Sequence, residues 1–173
     1  MTNLAGTTHQ TQEHAELLET LNQHRYFLRF TCRDLTDEQA AMRTTASALT
    51  LGGLIKHVTA VERGWSNFAV HGAAGMQDAN ANVDWPAAFE MQPGETLSGL
   101  LEAYAEQARQ TDEIIARLPD LNASHPLPPA PWFKPGASWS GRRVIVHLIA
   151  EISQHAGHAD IIRESLDGQK TMG

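Results

Sequence analysis

The chain has 173 residues, 42% of them hydrophobic, a formal net charge of −7 and a pI near 5.7; this suits one folded domain with a sizeable core. The acidic balance argues against a nucleic-acid binder, which needs a basic face to displace counterions from phosphates, and against an anionic membrane surface as partner. No apolar run reaches the roughly 18–20 residues that span a bilayer.

Residues 1–8 read as a frayed end, and the opening "MTNLAGTTHQTQEHAELLE" lacks the basic start and apolar core of a signal peptide. The first helix is expected from about Gln10 to Arg33, with Leu17, Leu18, Leu21, Tyr26, Leu28 and Phe30 on a loosely periodic apolar side. Its Cys32 is the one cysteine, so no internal disulfide is available and a reducing, cytoplasmic home is the default. A short turn follows at "TDEQAAM", where Thr36 caps and Gln39 stands at the capping-box position.

The second helix is expected from about Thr50 to Val70. Leu51, Leu54, Ile55, Val58, Val61, Trp65 and Phe68 recur at three and four residues, a strong amphipathic signal. Gly52 and Gly53 weaken its first turn by about 1 kcal/mol each against alanine, and allow a neighbouring backbone or substrate to approach closely. Glu62 falls near the middle of the apolar face. A carboxylate there needs a partner, such as an arginine or a tryptophan N–H, and reads as structural.

Residues 71–94 read as a loop. The third helix follows from about Glu95 to Leu118, with Leu97, Leu100, Leu101, Tyr104, Ala108, Ile114, Ile115 and Leu118 as its apolar face. A second loop, 119–139, carries six prolines, which preclude a continuous helix. The fourth helix spans about Ser140 to Leu166, closed by Asp167-Gly168, and 169–173 read as a frayed tail. Strand signals are nearly absent. The fold expected is all-α: a four-helix bundle with long loops, whose helix order need not alternate strictly up and down.

The fourth helix holds the chemistry. On a wheel of about 100° per residue, Ile145, Leu148, Ile149, Ile152, Ala156 and Ala159 form one face. His147, Glu151, His155 and His158 share a strip about 80° wide along its edge. Residues four apart rise about 6 Å, so their side chains can meet at one point. An imidazole and a carboxylate so placed are a recurring metal-binding arrangement in bundles, and the same pair also serves as an ordinary ion pair. A third ligand must come from a neighbour. His57, at the edge of the second helix's apolar face, supplies one. The candidate site is therefore His57, Glu151 and His155 around a divalent ion, zinc first and nickel as the alternative, with a coordination position left open. His147 and His158 are each open to three readings: a supporting group, a pocket wall or a solvated residue.

The stretches "LGGLIKHVTAVERGW" and "SWSGRRVIVHLIAEISQHAGHADIIRESLDG", about a quarter of the chain, resemble the DinB-like (DinB/YfiT-like) family of four-helix proteins. The E-x-x-x-H-A-G-H-A-D pattern looks closest to an actinobacterial branch. Many members hold a metal with three histidines. Here Glu151 stands where one of those would be, a departure similar to the mycothiol-dependent maleylpyruvate isomerase branch. The resemblance implies thiol S-transfer with a low-molecular-weight thiol (mycothiol, bacillithiol or glutathione) as cosubstrate and an electrophilic small molecule as its partner.

With Cys32 expected in the core, such an enzyme borrows its thiol, and a metal with an open position favours the thiolate. In this scheme His158 relays a proton or orients a ligand, and Arg142 and Arg143 either meet a carboxylate of the thiol or stay solvated. The loops bearing Trp85 and Trp132–Phe133 either cover the pocket or pack onto the end of the bundle. Two other functions remain open: a thiol-dependent cis–trans isomerase that consumes no thiol, and a non-catalytic metal-binding or stress-response protein. A homodimer is expected, with no face assigned.

Overall fold

The computed structural model describes residues 12–171, so the expectations for 1–8, for the first helical residues 10–11 and for 172–173 lie outside it. Among the described residues there are five α-helices: α1 (Gln12–Thr31), the single turn α2 (Asp37–Ala41), α3 (Leu51–Ala79), α4 (Leu97–Arg117) and α5 (Gly141–Asp167). A 3₁₀ turn, Pro86–Phe89, lies between α3 and α4. Two three-residue strands, β1 (Ser124–Pro126) and β2 (Ser138–Ser140), precede α5.

Local chemistry sets most of these boundaries. Thr36 and Gln39 form the expected capping box of α2. Thr50, Thr96 and Ser140 cap α3, α4 and α5, each hydroxyl accepting from the backbone N–H three residues on. Gly168, at φ 77°, ends α5 in the left-handed conformation open to glycine.

The four long helices form the expected bundle. α1 lies against α5 and α4, and α3 lies against the same two. Ion pairs and rings give the directions. Glu13 meets Arg142 near the starts of α1 and α5, so those two run parallel, as do α3 and α4, where Lys56 meets Glu95. α3 opposes α5, with His57 beside His155 and Trp65 beside His147. The up-down alternation is thus broken, and the chain between α3 and α4 must travel back along a helix. Its seventeen residues, 80–96, reach at most about 56–61 Å when extended, which suffices.

The return starts at Gly72, whose φ of 66° and ψ of −155° break the helical span. Residues 73–79 turn back, and Asn80 arrives beside Gly64: a Cβ there would stand 2.3 Å from its Nδ2. The expected end near Val70 therefore marks the true turn, and the expected loop begins with a short helix.

The core is Leu21, Leu28, Leu54, Ile55, Phe68, Ile145 and Leu148, all at most 1% exposed. Glu62, fully buried, has the arginine its position demands. Arg25 of α1, 1% exposed, forks onto it, with Nε 3.2 Å from Oε2, and reaches Asp112 of α4 at 2.6 Å. Burial pushes the Glu62 carboxyl up, and Arg25 opposes that shift.

Two further expectations fail. The proline loop contains a strand pair, Ser124↔Ser140 to Pro126↔Ser138, because its ends meet over a long excursion that leaves no periodic signal. Nor do residues 169–171 fray: the Thr171 N–H and hydroxyl both bond Asp160, and the hydroxyl lies 2.6 Å from Thr31 Oγ1. Among the described residues, no helix is long and apolar enough to cross a membrane.

Candidate metal centre

The antiparallel packing of α3 on α5 brings His57 to the strip on α5. His57, Glu151 and His155 each offer one donor atom, and these lie within 4.8 Å of one another. His155 Nε2 is 3.6 Å from a Glu151 oxygen, and the His57 and His155 rings meet edge-on at 4.9 Å. The spacing seen on the helical wheel thus closes into a cluster of two nitrogens and one oxygen.

The surroundings favour the protonation states that bind a cation. Burial lowers the His57 pKa from 6.5 to about 4, His155 adds to the shift, and Glu151 opposes it. His155 holds the Glu151 carboxyl below the usual range, against a smaller effect of burial. Neutral imidazole beside carboxylate is the ligating form. His57 Nδ1 is also buried without a hydrogen-bond partner. An orphaned imidazole nitrogen is costly unless something satisfies it, and a divalent ion suits this donor set.

Neighbours fix the three side chains. Phe89 stacks on the His57 ring at 4.1 Å, and Trp85 meets it edge-on at 6.2 Å. Phe89 reaches that place because α3 has no side chain at Gly53: a Cβ there would lie 1.8 Å from the Phe89 carbonyl oxygen. At Gly52 it is the Met91 side chain that takes the space, its Sδ 2.3 Å from where a Cβ would stand. Gly53 thus admits a backbone, one of the two uses expected of the pair. On α5, His147 Nε2 stands 3.6 Å from Glu151 on the side away from His155. Trp65 and Trp139 hold the His147 ring edge-on, at 4.8 and 5.0 Å.

A cavity of about 550 Å³ opens from Glu151 and His147. Trp65, Trp85, Trp132, Phe133 and Met76 form much of its wall, with the 128–131 proline segment. The Trp85 and Trp132–Phe133 segments therefore do line the pocket. No lysine or arginine lines it, and Glu151 is its single carboxylate.

The remaining candidates lie elsewhere. His158 Nδ1 sits 3.4 Å from His155 Nδ1, the ring nitrogen opposite the one facing Glu151, and is not on the cavity wall. Arg142 is half-buried and bound to Glu13 and Asn122. Arg143 lies over the Trp139 ring at 4.9 Å, outside the cavity wall. Sequence reasoning missed Phe89 as the ring that backs His57, and Trp139 as the wall of His147. Gly53 was the available signal for the first; nothing in the sequence marked the second, because the β1–β2 pairing brings Trp139 to Trp65, stacked at 4.7 Å.

A family model described as mycothiol-S-transferase matches residues 16–168, which covers both halves of the cluster and the whole cavity wall. No curated protein matches the chain.

Proposed function

The chain belongs to the mycothiol-S-transferase family, and on that premise we propose that it joins the thiol of mycothiol to a neutral, apolar electrophile. His57, Glu151 and His155 hold a divalent ion, zinc in the first instance and nickel as the alternative; two imidazoles and a carboxylate suit either. When bound, such an ion favours the thiolate over the thiol. The rest falls to the chain's own groups. Phe89 holds the His57 ring in place. His147 holds the outer side of Glu151, and His158 acts on His155 as a positioning residue, through its opposite nitrogen. The aromatic wall excludes water and receives the electrophile's apolar body.

One observation favours transferase over isomerase: no lysine or arginine lines the cavity. Of the two carboxylates of a cis-unsaturated diacid, the metal ion would meet at most one, and the other would face an aromatic and proline wall with no cationic side chain, a costly arrangement. A neutral aromatic electrophile meets tryptophan and phenylalanine faces instead. The cavity equally disfavours the non-catalytic reading, since a closed structural site needs no open chamber.

The experiment is a paired turnover assay on metal-loaded protein. Mycothiol is supplied with 1-chloro-2,4-dinitrobenzene in one arm and with a cis-unsaturated diacid in the other, and free thiol is counted. Thiol consumed in step with conjugate, and an unchanged diacid, supports the proposal. Diacid turned over with thiol intact would replace it with the isomerase.

A further inference from the structure

A second cleft lies on the other side of the 82–92 segment from the metal centre, between α3 and α4, with a volume of about 420 Å³. Lys56, Thr59, Ala60 and Arg63 form its α3 wall, a single stripe at helical spacing. Leu100 and Ala103 face them from α4, and Ala87 and Ala88 close one side. The alanines leave the space: larger side chains at the same positions would fill it.

The charged groups in this cleft are not equivalent. Lys56 is held by Glu95 at 2.8 Å. Arg63 has no such partner. Among the described residues its guanidinium makes no hydrogen bond or ion pair, and its Nε is buried and unsatisfied. A planar donor fork at the edge of an apolar cleft lacks an acceptor, and a buried donor left unmet is costly. Asp84 also lines the cleft, so every negative charge brought to Arg63 is opposed by a nearby carboxylate, and a monoanion is disfavoured less than a dianion.

We propose that this cleft is a binding site for a small organic monocarboxylate, its carboxylate on the Arg63 guanidinium and its apolar body against Ala60, Ala88 and Leu100. The cleft has no lining residue in common with the metal cluster, although α3 and the 82–92 segment border both: Ala87 and Ala88 face the cleft while Phe89 lies on His57.

The test is calorimetric titration of the metal-free protein with octanoate, with 1-octanol as neutral counterpart and octyl phosphate as dianion. Wild type is compared with Arg63→Met, Ala103→Phe and His155→Ala. Ala103 is exposed, so a bulky side chain there fills the cleft without entering the core. Saturable octanoate binding is expected, weakened about tenfold or more by Arg63→Met and by Ala103→Phe, unchanged in His155→Ala, and stronger than for either of the other probes. No saturable binding would overturn the proposal. So would binding that survives both cleft substitutions, binding lost in His155→Ala, or a preference for the phosphate.

Discussion

Replacing Gly53 by alanine tests how the fold positions the metal centre. In an open helix the change stabilises by about 0.4–1 kcal/mol, since glycine loses more backbone entropy on folding. At Gly53 the new Cβ would lie 1.8 Å from the Phe89 carbonyl oxygen, which must retreat by about 1.6 Å to reach the 3.4 Å of ordinary contact. Overpacking of this kind costs about 1–3 kcal/mol, so the net effect runs from about zero to a loss of about 2.5 kcal/mol. Gly157 is the control: it is exposed on α5, and nothing lies within 4 Å of a Cβ placed there. Gly157→Ala should gain about 1 kcal/mol, or roughly 2–4 °C in Tm. The assay is chemical denaturation of both variants without metal, followed by turnover of the loaded proteins. Because Phe89 backs His57, Gly53→Ala should also lose up to about 10²-fold in activity, the scale for a displacement near 1 Å. If Gly53→Ala is as stabilising as Gly157→Ala and stays fully active, the 82–92 segment is not seated on α3 as described.

Other consequences follow from the buried groups. Arg25→Met leaves Glu62 buried and unpaired and should cost about 3–5 kcal/mol in urea denaturation, largely recovered in the double variant with Glu62→Leu; a single-variant loss under about 1 kcal/mol would contradict the pairing. Cys32 is 2% exposed and its thiol is pushed up to about 12 by burial, so the native protein should resist iodoacetamide at neutral pH and react once unfolded. The stability of the metal-free protein should depend on pH through His57. Its folded pKa lies below 6.5, at about 4, so the unfolded chain binds the extra proton. The contribution is complete above about pH 6.5 and is lost as pH falls towards about 4. The lowered Glu151 carboxyl acts in the same direction. In thermal melts across that range, wild type should lose more stability than His57→Gln as pH falls, so the two curves separate towards the acidic end; parallel curves would show that His57 is not desolvated.

How much was legible in the sequence depended on the range of the cause. Helix identity came from the three-and-four spacing of Leu51 to Phe68, and helix ends from Thr36, Thr50 and Gly168, all local signals. The His57, Glu151 and His155 cluster was legible because two members share one helix and the third sits on an amphipathic edge that must face it. Glu62 announced its need for a partner, an arginine or a tryptophan N–H, without saying which. Long-range contacts were hidden. Arg142 looked available at the start of α5, but Glu13, 129 residues earlier, holds it. The β1–β2 pair joins residues across a proline excursion, and Trp139 arrives at Trp65 only because of it. Gly72 resembled any glycine near a helix end, and its reversal of the chain appears only in three dimensions.

The central claim is that His57, Glu151 and His155 together hold a divalent ion. Its most direct test is elemental mass spectrometry of protein purified without a histidine tag or added metal, with wild type beside His57→Ala, Glu151→Ala and His155→Ala, each checked for folding by circular dichroism. The account predicts near-stoichiometric metal in wild type and its loss in every folded variant. A wild-type protein that stays empty after zinc and nickel are offered, or one whose metal survives these substitutions, would contradict it.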